Sequence, residues 1–145
     1  MAFSPDGQQL ATCGQDGVQL WDPVSRFPHA SLRSDIGLVE AVAFSPDGRL
    51  LVAAGEMGIH VWDAARAWLG GQLPDEDGPF QSAVFSPDGR LLATNGEDGI
   101  QLWDPATRVR LATLRSKSSP AHSPAFSPDS SVLAVATGDE VLLIA

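Results

Sequence analysis

The chain has 145 residues with nine Lys or Arg, eighteen Asp or Glu, a net charge of −9 and 43% apolar side chains. That is enough chain for one domain with its own core, and too apolar for a disordered polymer. The negative charge argues against nucleic acid and anionic membranes as partners, and the lone Cys13 excludes an intrachain disulfide or a multi-cysteine metal site. No apolar run reaches the roughly 18 residues that a spanning helix needs. The opening Met1-Ala2-Phe3-Ser4-Pro5-Asp6-Gly7 has neither a basic nor an apolar leader region. The expectation is a cytoplasmic chain without membrane or nucleic-acid partners.

The chain repeats itself. Phe-Ser-Pro-Asp begins at Phe3, Phe44, Phe85 and Phe126, each 41 residues after the last. Trp-Asp recurs at Trp21, Trp62 and Trp103 with the same interval, and Ile144 takes the fourth slot. Within a unit, Ser4-Pro5-Asp6-Gly7 spells a type I turn, with proline pre-setting the second position and glycine closing the fourth. Residues such as Arg90 to Thr94 form a short apolar run between turn signals, the pattern of a buried strand. Asp98-Gly99 predicts a hairpin turn with positive φ. Ile100 to Trp103 alternates with period two, and Pro105 ends that strand. Phe27, Trp68 and Val109 share one later slot, and Leu32, Leu73 and Leu114 another, predicting an outer strand with fixed apolar positions. Val39 to Phe44 then opens the next unit.

Four strands per unit of this length is the pattern of a propeller blade. Through Phe-Ser-Pro-Asp-Gly, Asp-Gly and Trp-Asp in order, the chain resembles the WD-repeat β-propeller family over essentially its whole length. The resemblance implies an all-β fold, one segment over residues 1–145, with repeat cores 2–22, 43–63, 84–104 and 125–145. Each blade would run from inner strand a through b and c to outer strand d. In the family, many blades link a His before strand a, a Ser or Thr in strand b, the Asp of the b–c turn and the Trp of strand c. Thr12, Asp16 and Trp21 fit that set in the first unit, and Thr94, Asp98 and Trp103 in the third. The second has Ala53 and Met57, keeping only Trp62; the fourth keeps Asp139 beside Val135 and Ile144. Asp35, Glu76 and Lys117 occupy the His slot, so the full network is not expected in any blade.

The sequence opens within strand a and closes with Val141 to Ile144 in the strand c slot, so the last blade lacks its outer strand. Its flank would be a short, uncharged, aliphatic edge, open to pairing. An uncovered blade face of about 250 Å² forgoes roughly 6 kcal/mol of burial, comparable to a domain's net stability. Three arrangements answer this: a segment of a longer propeller, two copies joined end to end, or a closed four-bladed ring.

Little in the sequence points to catalysis. His29, His60 and His122 fall in unrelated slots without metal-ligand spacing, and His60 stands where Gln19 and Gln101 stand, as a polar strand residue. Cys13 shares its slot with Ala54, Asn95 and Ala136, and the recurring turn serine behaves structurally. Neither a nucleophile elbow nor a phosphate loop occurs. Asp75-Glu76-Asp77-Gly78 lacks the remaining ligands of a calcium loop and reads as an acidic turn. Trp68 reads as a packing residue. No catalytic residue, metal or cofactor is expected. The b–c and d–a turns should share one rim, the top by family usage. It carries Asp35, Glu56, Asp75, Glu76, Asp77, Glu97 and Glu140 beside the turn residues Asp16, Asp98 and Asp139. Basic neighbours there are few: Lys117, Arg33 and Arg115; Arg49, Arg66, Arg90 and Arg108 map to the bottom. Such a rim would steer a basic protein partner or serve solubility alone. The resemblance implies a non-catalytic protein–protein interaction scaffold. The alternatives are a structural or regulatory propeller fragment without binding of its own, and an enzyme, which would need a His/carboxylate or metal set that the sequence does not show. Self-association through open propeller ends is a further expectation.

Overall fold

A computed structural model describes residues 1–66, 68–73, 78–115, 121–138 and 140–145, with Trp68 and Leu69 described by their backbone alone. The described residues form fifteen strands and no helix. The first sheet is β1 (Ala2–Phe3), β2 (Leu10–Gly14), β3 (Gly17–Trp21) and β4 (Pro28–Leu32). The second is β5 (Val39–Phe44), β6 (Leu50–Gly55), β7 (Gly58–Asp63) and β8 (Trp68–Gln72). The third is β9 (Ser82–Phe85), β10 (Leu92–Gly96), β11 (Gly99–Asp104) and β12 (Val109–Leu114). The fourth holds β13 (His122–Phe126), β14 (Leu133–Ala136) and β15 (Val141–Ile144). All pairs are antiparallel between sequence neighbours, so each sheet is a meander and one propeller blade, the last without an outer strand.

The turns explain why the motifs recur. In the first, the Gly7 N–H donates to the Ser4 carbonyl at 2.9 Å. The Ser4 hydroxyl donates to Asp6 Oδ1 at 2.6 Å while its oxygen accepts the Gln9 N–H at 2.9 Å. Ser45 with Asp47, Ser86 with Asp88, and Ser127 with Asp129 repeat this, each at 2.6 Å. Strand b begins later than the apolar run suggests for this reason. The Arg90 and Leu91 N–H groups are held by Asp88 Oδ1 and Ser86 Oγ, so β10 starts at Leu92. In the fourth turn Ser130 replaces glycine at a φ of 61°, and its Oγ accepts the Asp88 N–H of the neighbouring turn at 3.1 Å.

The b–c hairpins close by pairing Gly14 with Gly17, Gly55 with Gly58 and Gly96 with Gly99. The positive φ expected of Asp-Gly falls on the glycine alone: 100° at Gly17, 145° at Gly58 and 118° at Gly99. A Cβ at Gly17 or Gly99 would press into the carbonyl oxygen of Leu32 or Leu114 on the outer strand, so that strand, too, demands glycine. The Trp-Asp turns are closed by their carboxylates: Asp22 accepts the Val24 and Ser25 N–H groups, Asp63 those of Ala65 and Arg66, Asp104 those of Ala106 and Thr107.

One expectation for the outer strand fails. Leu32 and Leu73 are buried at 4% and 1% exposure, yet Phe27 and Val109 stand 72% and 54% exposed. The c–d register shifts between Leu20 and Trp21, and likewise between Leu102 and Trp103, so the outer strand changes phase beside its first residues.

Paired positions share a face, and the blades stack face to face. Ala11, Val18, Leu20 and Leu32 of blade 1 meet Leu51, Ala53 and Trp62 of blade 2. Val52, Ala54, Ile59, Val61 and Leu73 of blade 2 meet Phe85, Leu92 and Trp103 of blade 3. Ala93, Ile100 and Leu102 of blade 3 meet Leu133, Val135 and Phe126 of blade 4. Every junction sets an aliphatic face against the face that bears the next blade's motif Phe and, in blades 2 and 3, its Trp.

Candidate interaction surface on the top rim

The b–c turns and the d–a loops reach the same rim because adjacent strands run antiparallel. At its centre is the second blade's turn. The Glu56 N–H donates to the Leu38 carbonyl at 3.2 Å, the Met57 N–H to the Ile36 carbonyl at 2.9 Å, and the Leu38 N–H to Glu56 Oε2 at 3.3 Å. From the other side the Phe80 N–H donates to the Gly55 carbonyl at 3.0 Å. Two loops thus clamp one hairpin; Glu56 is exposed with its carboxylate turned onto the Leu38 N–H, and Met57 beside it is 61% exposed.

Asp35 projects from the same rim, its side chain 90% exposed, yet one oxygen reaches inward. Its Oδ1 lies 3.0 Å from Nε2 of His60, which is 3% exposed. The other ring nitrogen, Nδ1, lies 3.3 Å from Ser34 Oγ, and that oxygen accepts the Ile36 N–H at 3.3 Å. With Nε2–H donating to the carboxylate, Nδ1 accepts the Ser34 hydroxyl. The ring also meets Trp62 edge-on, with centroids 5.3 Å apart and planes at 72°. Burial holds the His60 pKa below its ordinary value, and the Asp35 charge pulls it partly back.

Of the family set blade 2 keeps only Trp62, with Ala53 and Met57 in the Thr and Asp slots. It has a polar set of its own, with Asp35 in the slot where the family places a His and the His moved to strand c. The parity of His60 with Trp62 puts both on one face and was the available signal. In blades 1 and 3 the Trp–Thr link is present: Trp21 Nε1 donates to Thr12 Oγ1 at 2.8 Å and Trp103 Nε1 to Thr94 Oγ1 at 2.9 Å. Asp98 turns away from that pair to the Arg115 guanidinium at 3.4 Å, and Asp16 is exposed.

Glu97 and Glu140 are exposed as well. Beside Glu97 a hollow of about 370 Å³ opens between blades 3 and 4, lined by Pro79, Gln81, Asn95, Gly96, Ala121 and His122. Asp75, Glu76, Asp77 and Asp139 lie outside the described residues, as does the Trp68 side chain. On the bottom rim, arginines stand next to the motif acids: Arg49 is 3.9 Å from Asp47, Arg66 4.0 Å from Asp63 and Arg90 4.0 Å from Asp88. Of the motif aromatics, Phe85, Trp62 and Trp103 are buried, Phe44, Phe126 and Trp21 are half-buried, and Phe3 is 59% exposed. Among the described residues no group of three or more His, Cys, Asp or Glu could hold a metal ion.

The profile of the family described as WD domain, G-beta repeat matches residues 1–22, 24–63 and 72–104, more than half of the chain. The chain belongs to the WD-repeat family. Its matched residues end at Asp104, and the fourth blade repeats the same Phe-Ser-Pro-Asp turn beyond them. No curated protein matches the chain. WD repeats generally mediate protein–protein interaction and scaffolding, and proteins built from them are typically non-enzymatic.

Proposed function

We propose that this WD-repeat chain is a non-catalytic docking scaffold whose acidic top rim receives a basic segment of a protein partner. The observation that carries the reading is the rim's charge. Asp35, Glu56, Glu97 and Glu140 project from neighbouring turns, and the described cations nearby are Arg33 and Arg115, the latter turned to Asp98. Of the bottom arginines, Arg49, Arg66 and Arg90 stand beside motif carboxylates instead. A field of one sign over a rigid rim raises the encounter rate of an oppositely charged partner and weakens with salt. The clamped hairpin around Glu56 supplies the rigidity, and the hollow beside Glu97 admits a long side chain.

Titration with a fluorescent oligo-lysine peptide tests this, with oligo-glutamate as the control. Binding should fall several-fold on raising salt from low to physiological strength, and again with Glu56→Lys and Glu97→Lys together. Binding indifferent to salt and to those substitutions contradicts the acidic-rim reading. Absence of any binding favours a structural module without an interaction of its own.

A further inference from the structure

One strand b slot turns polar in blade 3. Cys13, Ala54 and Ala136 hold it in the other blades, and Asn95, the one asparagine of the sequence, holds it here. Asn95 is 6% exposed. It pairs with Ser82 on one side and Ile100 on the other, so its side chain lies with Ala93 and Ile100 on the face turned to blade 4. Its backbone carbonyl is committed, accepting the Gln81 N–H at 3.2 Å. Its side-chain amide has no hydrogen-bond partner among the described residues, and neither has the buried Ser82 hydroxyl across from it. A polar group withdrawn from water without a partner is a cost to folding, and a ligand that completes its bonds offsets that cost.

Room for such a ligand exists. Gln101, equally unpaired, is sealed beneath blade 2 at 0% exposure, whereas Asn95 lines the hollow of about 370 Å³ between blades 3 and 4. Pro79 and Ala121 give that hollow apolar wall, and the exposed Gln81, Glu97 and His122 stand at its open side. Glu97 is the one carboxylate of the lining. The hollow thus combines a buried neutral amide, an apolar flank and a negative charge at the entrance.

We infer that this hollow binds the guanidinium side chain of an arginine in the partner, and that Asn95 selects arginine over lysine. The inference rests on the reading of the top rim as a surface for a basic segment, and names the residue received there. Glu97 at the entrance calls for a cation. The interior offers neutral acceptors, the Asn95 amide oxygen and the Gln81 amide oxygen. An ammonium is a compact, strongly hydrated charge and gives up its water reluctantly. A guanidinium is more weakly hydrated and spreads five N–H donors over a plane, so it can face a carboxylate and an amide oxygen together. Its three-carbon stem lies against apolar wall such as Pro79 and Ala121 provide. Asn95 carries no charge, so replacing it leaves the field of the rim as it was.

Two titrations of the full chain test the inference. In the first, N-acetyl-arginine amide is added and the Asn95 side-chain NH2 signals are followed by NMR, identified by their loss in Asn95→Ala. They should move and saturate, and move several-fold less with N-acetyl-lysine amide. This probe carries a single charge, so it reads the hollow even if no peptide docks on the rim. In the second, fluorescent hexa-arginine and hexa-lysine peptides are compared. The native chain should bind hexa-arginine several-fold more tightly. Asn95→Ala should bind the two alike, with hexa-lysine affinity unchanged. Alanine already fills this slot in blades 2 and 4, and far-UV dichroism checks that the variant keeps its strands. Glu97→Gln, which should weaken binding of the arginine amide, takes its place if it does not. Unmoved Asn95 signals overturn the inference, as does arginine amide binding that Glu97→Gln leaves unchanged. A preference for hexa-arginine that survives Asn95→Ala overturns it too. Salt-sensitive binding of both peptides with equal affinity overturns the arginine site and leaves the acidic rim standing.

Discussion

A single hydroxyl organises each Ser-Pro-Asp turn. The Ser127 oxygen donates to Asp129 at 2.6 Å and accepts the Val132 N–H at 2.9 Å, and with Ser131 it holds the Asp129 carboxyl at a pKa of about 2. Two other polar residues share one slot of the repeat with opposite outcomes. His60 and Gln101 occupy equivalent positions on strand c, one with partners on both ring nitrogens, the other fully buried with no partner for either amide atom among the described residues. For Gln101 an apolar replacement removes a desolvation cost without opening a large void. Gln101→Met should therefore raise stability by about 1–2 kcal/mol in urea titration. A loss of stability would show that the amide is satisfied. For His60 the effect is one of pH. The unfolded chain takes up the proton near 6.5, the folded chain only at lower pH because burial disfavours the cation. Between those values the unfolded state binds more protons, so this contribution is complete above about 6.5 and declines as pH falls. The urea midpoint should drop between neutral pH and pH 5.5 by more in the native chain than in His60→Gln. Equal drops would contradict the burial of a neutral His60 ring.

At the scale of the strand, the tryptophan–threonine link offers a comparison within one molecule. Thr94 and Trp103 are both 0% exposed, whereas Thr12 and Trp21 are half-buried on the open face of blade 1. Thr94→Val strands a buried indole N–H and should cost about 1–3 kcal/mol; Thr12→Val leaves one that water can reach and should cost under about 1 kcal/mol. Thermal melts of the two variants in dilute solution check this, and equal losses would contradict the difference in burial. The blades themselves were legible in the sequence, because turn chemistry and strand parity are local and recur at one interval. The phase of the outer strand was not. Phe27 and Val109 look like core residues, but the register shift beside Trp21 and Trp103 decides where they face, and apolarity does not encode it. The rim acids were legible as turn residues. The Asp35–His60 pair was not, because it joins a loop to a strand through a substitution in each, and only their geometry shows that the two compensate.

The whole molecule is a row of four blades in which each junction covers a motif face with an aliphatic one. On its top rim the described acids Asp16, Asp35, Glu56, Glu97, Asp98 and Glu140 outnumber the described cations beside them, Arg33 and Arg115. Binding of a basic partner at the proposed rim should therefore weaken as salt rises. The most direct test of this architecture is hydrogen exchange at the indole N–H groups, read by NMR with single tryptophan substitutions for assignment. In dilute solution the Trp103 indole should be strongly protected and the Trp21 indole weakly so, although both donate to a threonine in equivalent strands. Strong protection of both in the dilute chain, or of neither, would contradict the row of blades described here.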